Sequence, residues 1–156
     1  MDANRTKNPE FFPLAAAFVA LLLTTSSLEG IWYLGIAEEV YQHHIGLLMN
    51  DPFDARVAIL FYLSYSMGAL IFAVRPALVA QSWRSALQAG ALFGFFCFSA
   101  HNLTDLADVK GFTWEITVID IAWGTCMTGV ASTLAFLIAR CLGRHAALNL
   151  PRSDPR

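Results

Sequence analysis

The chain has 156 residues, of which 56% are hydrophobic and 14% charged, and its mean hydropathy is +0.52. A soluble domain of this size needs more polar residues to cover its surface, so the composition excludes an ordinary soluble protein and favours a lipid bilayer as the solvent. The formal net charge is -2 and the chain has no basic patch of the kind that binds nucleic acid, which excludes nucleic acid as a partner.

Four apolar segments are predicted to cross the membrane as helices, because each is close to the roughly 20 residues that span a ~30 Å hydrocarbon core. Lipid offers no partner to an unpaired backbone amide, so the spans must be helical. The predicted fold is all-α, an integral membrane four-helix bundle. Its parts are an N-terminal segment (1–13), one membrane domain (14–140) with spans at about 14–36, 57–80, 86–103 and 116–140, and a basic tail (141–156) predicted to be disordered.

The first span has an alternative reading as a cleaved signal peptide, since Arg5 and Lys7 precede an apolar run. The run is long for a signal peptide, and no small-residue cleavage site precedes a polar mature terminus. Trp32 to Ile36 continue the apolar stretch instead. We therefore expect the first span to be retained.

The basic residues predict the orientation. Eight of the 10 Lys and Arg residues lie in the termini or between the second and third spans, and only Arg56 and Lys110 lie on the other side. Because positive charge is retained in the cytoplasm, both termini are predicted to be cytoplasmic. The opposite, outer side is acidic.

Small residues predict where helices pack closely. Gly90 and Gly94 form a small-x-x-x-small pair in the third span, and Gly124 and Gly129 lie in the fourth. Such residues let two backbones approach, and we expect them to serve packing within one chain. Pro76 is predicted to kink or fray the end of the second span.

Two acids, Glu29 and Asp120, lie inside predicted spans, where an ionisable group costs ~2.5–3.5 kcal/mol and is retained for pairing or function. At ~1.5 Å per residue, all four spans place polar or aromatic residues at a similar depth below the outer face. The predicted intramembrane polar site comprises Glu29, Trp32, Tyr33, Tyr62, Tyr65, His101, Asn102, Asp105, Asp120 and Trp123.

Helical spacing lets these residues point inward. Asp120, Trp123 and Met127 follow the i, i+3, i+7 pattern of one helix face. Two interpretations remain open for the site. It is either a hydrogen-bonded clamp that holds the helices together, or a cavity that meets a ligand, an ion or a lipid.

Metal and cofactor sites are not predicted. His43, His44, His101 and Asp105 lack any recognised ligand spacing. The phosphate-binding loop, the serine nucleophile elbow and the zinc-protease helix motif are also absent. Glu29 and Asp120 could form an acid–base pair, but the motifs favour a protein that is not an enzyme.

Several runs resemble a family of bacterial multi-pass membrane proteins, domain-of-unknown-function family 2177. The resemblance covers about Leu14 to Arg140 in order, and it implies a bacterial inner-membrane location without any established activity. The runs are Glu29-Gly-Ile-Trp-Tyr-Leu-Gly35, Phe61-Tyr-Leu-Ser-Tyr65, Phe72-Ala-Val-Arg-Pro-Ala77, Gly90-Ala-Leu-Phe-Gly94, Asn102-Leu-Thr-Asp105 and Ile119-Asp-Ile-Ala-Trp-Gly-Thr125.

The chain departs from the family pattern at two places. The family typically has Asp where this chain has Glu29, and Asp-Leu-Thr-Asn where it has Asn102-Leu-Thr-Asp105. The first departure keeps the acid with a longer reach. The second exchanges an acid and an amide one helical turn apart, which keeps one charge in the pair.

We therefore predict a polytopic inner-membrane protein with a polar cavity near the outer face, which binds or transports a small or amphiphilic molecule. Its partners are the lipid bilayer and that small-molecule or lipid ligand, and the oligomeric state is left open. One alternative is a small membrane enzyme acting on lipid, with Glu29, His101 and Asp120 as acid–base groups. The other alternative is a structural subunit of a membrane complex.

Overall fold

The computed structural model describes residues 11–37 and 54–148, with backbone alone for 36–37 and 145–148. These residues are helical apart from short connections and contain no strand. Both His43 and His44 lie outside the described residues, as do the first ten residues and the last eight. The helices are α1 (Phe11–Trp32) with a π-helical turn at Tyr33–Ala37, α2 (Ala55–Ala69) with a π-helical turn at Leu70–Val74, α3 (Arg75–Ala80), α4 (Trp83–Asp108) and α5 (Trp114–Leu148).

Three stretches of the described residues are long and apolar enough to cross a membrane: Phe11–Gly35, Ala55–Ala80 and Trp114–Arg144. The helix α4 has 26 residues but is less apolar, because it carries Gln88, His101 and Asn102. Side chains such as Leu34 (74% exposed) and Val79 (88% exposed) cover the outside of the bundle. An apolar exterior of this extent is what a lipid environment requires.

The break between α2 and α3 has a local cause in Pro76. Proline lacks an N–H, and its ring clashes with the carbonyl four residues earlier in an α-helix. Just before Pro76 the helix widens into the π-helical turn at Leu70–Val74, and the Arg75 N–H donates to the Leu70 carbonyl five residues back. The helix then continues to Ala80 and does not fray at Pro76.

A tight reversal makes α4 antiparallel to α3. Gln81 adopts a left-handed conformation (φ 51°), and the Ser82 side chain caps α4 by accepting a hydrogen bond of 3.3 Å from the Ser85 N–H. A polar N-cap of this kind satisfies one of the free amide groups at a helix start.

Helices α4 and α5 pack most extensively, through residues spaced four apart. Every fourth residue of α4 from Ala86 to Asn102 is buried. Gly90 faces Ser132, Gly94 faces Thr128 and Phe98 faces Gly124. A Cβ atom on Gly94 would overlap the Gly124 carbonyl oxygen, so the two backbones are in direct contact and the predicted close packing within one chain is present.

The apolar core has two parts. The larger one lies toward the end of the bundle where α3 ends, and it includes the fully buried Leu21, Val74 and Phe136. The smaller part consists of Tyr65, Phe98 and Met127. The predicted polar site lies beside this second cluster.

Candidate intramembrane polar site

Helix α5 makes one polar contact with each of the other long helices. Its acceptors and donors lie on one face, at Asp120, Trp123 and Thr128. Asp120 meets Asn102 on α4, Trp123 meets Glu29 on α1, and Thr128 meets Tyr65 on α2. The last helix therefore holds the polar groups of the other three in register.

The first contact joins two buried side chains. The Asn102 Nδ2 group donates a 2.6 Å hydrogen bond to Asp120 Oδ2 and a 3.0 Å bond to the Phe98 carbonyl. Asn102 is completely buried and Asp120 is 8% exposed. Both N–H groups of the amide are thus used. The Asn102 Oδ1 atom is buried and accepts no hydrogen bond from the described residues.

The second contact includes a pair of tryptophans. Trp123 Nε1 donates a 3.2 Å hydrogen bond to Glu29 Oε1. The indole rings of Trp32 and Trp123 stack with their centroids 4.7 Å apart and an interplanar angle of 11°. Trp32 Nε1 is buried and donates to no atom of the described residues. Glu29 and Asp120 lie close enough for their charges to interact.

The third contact lies deeper in the bundle. The Thr128 hydroxyl donates to the Gly124 carbonyl at 2.6 Å, and the Tyr65 hydroxyl lies 2.5 Å from the same threonine oxygen. Since a hydroxyl has one proton, Tyr65 must be the donor to Thr128. The Tyr65 ring also packs edge-on against Phe98, with the centroids 6.2 Å apart. This tyrosine is 7% exposed and joins the polar site to the apolar core.

His101 and Asp105 form a pair of their own on α4. His101 Nε2 lies 3.4 Å from Asp105 Oδ2, and the His101 side chain is 69% exposed. Both residues lie within electrostatic range of Asp120 without a hydrogen bond to it. The pair is therefore at the rim, whereas Asn102 is the residue of α4 that points into the bundle.

Tyr62 and Tyr33 are peripheral to the buried contacts. The Tyr62 ring packs edge-on against Phe61, and its hydroxyl is within electrostatic range of Glu29. Tyr33 is 39% exposed at the start of the π-helical turn that follows α1. Both tyrosines surround the site rather than fill it.

Sequence reasoning missed Thr128, Ser66 and Ser132. Thr128 lies eight residues after Asp120 on the same helix face, and this spacing is the feature of the sequence that points to its place in the site. Ser66 and Ser132 are fully buried, and their hydroxyl oxygens have no hydrogen-bond partner among residues 11–37 and 54–148.

Within the described part of the chain, no group of three or more His, Cys, Asp or Glu side chains could hold a metal ion. The three cysteines, Cys97, Cys126 and Cys141, are free thiols.

Comparison with known proteins gives one match. A model of the predicted membrane protein family DUF2177 matches residues 14–137, a range that contains all ten residues of the predicted polar site. Neither a search of curated proteins nor a search of solved structures finds a match. Because the family model covers most of the chain, the protein belongs to the DUF2177 family of predicted membrane proteins.

Proposed function

We propose that this protein binds or transports a small or amphiphilic molecule at the polar site between Glu29, Asn102 and Asp120. The observation that carries the proposal is the buried Asn102 Oδ1 atom, which has no donor among the described residues. An unpaired buried acceptor costs ~1–3 kcal/mol, and a ligand that donates a hydrogen bond removes that cost. The Asp120 carboxyl is bonded to the same Asn102 amide, and the Glu29 carboxyl lies within electrostatic range of Asp120, so the site holds further acceptors.

The surplus of acceptors defines the class of ligand. Both N–H groups of Asn102 and the indole N–H of Trp123 are already engaged within the site, which leaves the buried Trp32 Nε1 as its N–H donor without an acceptor among the described residues. A ligand with ammonium or hydroxyl donors complements this surplus, whereas an anion does not. The stacked indoles of Trp32 and Trp123 add an aromatic wall, which attracts a cation or an apolar chain.

The same proposal includes four membrane spans with both termini in the cytoplasm of a bacterial inner membrane. The helix α4 supports it because it packs against α5 from Gly90 opposite Ser132 to Asn102 opposite Asp120. A helix in this antiparallel register lies at the same depth as its partner. If α5 crosses the bilayer, α4 crosses with it.

The test uses three amphiphiles with one tail length: dodecylammonium, dodecanol and dodecanoate. Intrinsic tryptophan fluorescence of the purified protein reports binding beside Trp32 and Trp123. We expect saturable binding of dodecylammonium, weaker binding of dodecanol and none of dodecanoate. Glu29→Gln and Asp120→Asn should weaken dodecylammonium binding, and Glu115→Gln, an exposed acid at the start of α5, serves as the matched control.

Equal responses to all three amphiphiles would contradict a site selective for donors. So would an unchanged affinity in both acid variants. The outcome does not depend on the direction of transport, since binding alone is measured.

A structural subunit is the second candidate function. Each acid has a protein partner on another helix, as a clamp requires, with Asp120 bonded to Asn102 and Glu29 bonded to Trp123. A clamp predicts that Asp120→Asn, which keeps the accepting oxygen, changes the melting temperature little and that the amphiphile titrations stay flat in every form of the protein. The enzyme alternative lacks comparable support, because His101 pairs with Asp105 at the rim and bonds to neither acid.

A further inference from the structure

A cavity lies at the end of the bundle opposite the polar site, where α3 ends. It has a volume of about 770 Å³, within the ~300–1,000 Å³ typical of ligand pockets. Its walls come from the start of α1, the π-helical turn at Leu70–Val74 with α3, and the last turns of α5. The lining residues are Pro13, Leu14, Ile71, Arg75, Pro76, Leu78, Val79, Gln81, Ala139, Arg140, Gly143 and Arg144.

Three arginines, Arg75, Arg140 and Arg144, line this cavity, and none of the described residues in its lining is acidic. None of the three forms an ion pair with a carboxylate among the described residues, where the ion pairs are those of Arg56 and His101. Three positive charges around one cavity repel each other, and a bound anion relieves the repulsion. Guanidinium groups recognise phosphate oxygens with paired hydrogen bonds.

Arg140 provides a second, independent observation. Its Nε atom is buried and has no hydrogen-bond partner in the described part of the chain. The guanidinium carbon lies 5.9 Å from the centre of the Phe136 ring, which holds the side chain against the apolar core. A buried charge-bearing donor without an acceptor is costly, and an oxyanion in the cavity would satisfy it.

The rest of the lining is apolar. It includes Leu14, Ile71, Leu78 and Val79, and Val79 is 88% exposed to the surroundings of the bundle. An apolar lining beside a basic cluster matches a molecule with an anionic head and hydrocarbon chains. On the proposed topology this end faces the cytoplasm, where anionic lipids attract basic residues and bind in basic pockets between helices.

We propose that this cavity, the arginine cavity, binds the phosphate group of an anionic phospholipid. The phosphate contacts Arg140 with Arg75 and Arg144 at the mouth, and the acyl chains lie along Ile71, Leu78 and Val79. The site is separate from the polar site around Asp120 and is independent of the function proposed for it.

The experiment measures lipid binding to the full chain in detergent by native mass spectrometry and by thermal melting. The probes are phosphatidylglycerol and phosphatidylcholine with identical acyl chains, and inorganic phosphate. We expect phosphatidylglycerol to bind more tightly than phosphatidylcholine and to raise the melting temperature. Inorganic phosphate alone should stabilise the protein far less, since it lacks the chains.

Substitutions of the three arginines test whether the lipid binds in the arginine cavity. Arg140→Gln should weaken phosphatidylglycerol binding about tenfold, the effect expected for one charge-assisted hydrogen bond. The double variant Arg75→Gln with Arg144→Gln is a second test. Both residues are exposed, so their replacement leaves the apolar core intact. Arg84→Gln is the matched control, because Arg84 lies near the same end of the bundle but stacks on Trp83 outside the cavity.

Three results would overturn the proposal. The first is equal affinity of the unmodified protein for the two lipids. The second is a lipid preference that survives in Arg140→Gln and in the double variant, or that is lost equally in Arg84→Gln. The third is stabilisation by inorganic phosphate that matches that of phosphatidylglycerol, which would make free phosphate the ligand.

Discussion

The hydrogen bond from Asn102 to Asp120 continues the register of the glycine contacts between α4 and α5. Four residues before Asn102, Phe98 packs on Gly124, and four residues earlier Gly94 meets Thr128. One helix interface therefore places the polar pair and sets the backbone distance that the pair requires. Changes at the glycines are expected to move the acid as well as to weaken the packing.

Gly94→Ala should lower the free energy of unfolding by ~1–3 kcal/mol, the usual cost of overpacking. The added Cβ meets the Gly124 carbonyl and the Thr128 side chain, and a backbone carbonyl cannot move aside easily. The measurement is unfolding of the purified protein in mixed micelles. Gly30→Ala is the matched control, because a Cβ there meets nothing within 4 Å. A loss in Gly30→Ala as large as that in Gly94→Ala would contradict the close-contact explanation.

Asp120→Asn and Asp120→Leu should differ. The Asn side chain keeps an oxygen that accepts from Asn102, so it should change stability little, but it cannot ionise and should weaken dodecylammonium binding. Asp120→Leu leaves the Asn102 amide without its acceptor and should cost at least ~0.6 kcal/mol, the average measured for membrane hydrogen bonds, and up to their maximum of ~1.7 kcal/mol. Melting curves and the fluorescence titration are compared for both variants. An Asn variant that binds dodecylammonium normally would show that ionisation of Asp120 is dispensable.

Tyr65→Phe should cost ~0.6 kcal/mol, because it removes one interhelical hydrogen bond and keeps the ring. The ring contacts with Phe93 and Phe98 remain. Thr128→Val removes the same bond from the other side. A double-mutant cycle between the two substitutions measures the contact, and a coupling energy of zero would argue against the 2.5 Å hydrogen bond.

The stacked pair of Trp32 and Trp123 should give a strong coupled signal in the near-ultraviolet circular dichroism spectrum, because parallel indoles at 4.7 Å interact strongly. Trp123→Phe should remove this signal and the hydrogen bond to Glu29 together. Trp83→Phe should leave it unchanged, since Trp83 stacks with Arg84 instead. A coupled signal that survives Trp123→Phe would contradict the stacked arrangement.

Reporter fusions test the four-span topology. Fusions after Asp51 and after Lys110 should report the periplasm, and fusions after Gln81 and at the C-terminus should report the cytoplasm. A cytoplasmic signal at Lys110 would mean that α4 does not cross the bilayer.

The sequence predicted the helical fold because apolar run length is a local property. The second span was expected at residues 57–80 and the helical rod covers Ala55–Ala80. The same counting predicted that Glu29 and Asp120 lie at a similar level of the bundle, and the two acids are within electrostatic range of each other. The sequence did not predict which residue bonds to each acid, because that depends on how each helix is rotated about its axis. Neighbouring residues such as His101 and Asn102 differ by ~100° around a helix, and packing against α5 decides which one is buried.

Two other features required the structure. A threonine in an apolar helix commonly bonds to the backbone of its own helix, as Thr128 does to the Gly124 carbonyl. This local bond does not predict the second bond, to Tyr65 on another helix. The sequence does not predict the arginine cavity, because Arg75 and Arg140 lie on different helices and each resembles the basic residue that commonly flanks a membrane span.

The position of α5 as common partner has a consequence for biosynthesis. The ribosome produces α5 after α1, α2 and α4, so on the proposed four-span topology Glu29, Tyr65 and Asn102 enter the membrane before their partners exist. At ~5–20 residues per second, the earlier helices wait for several seconds with unmatched polar groups in lipid. During that interval the nascent chain depends on the insertion machinery or on water for those groups, and insertion of α5 completes the assembly in one step.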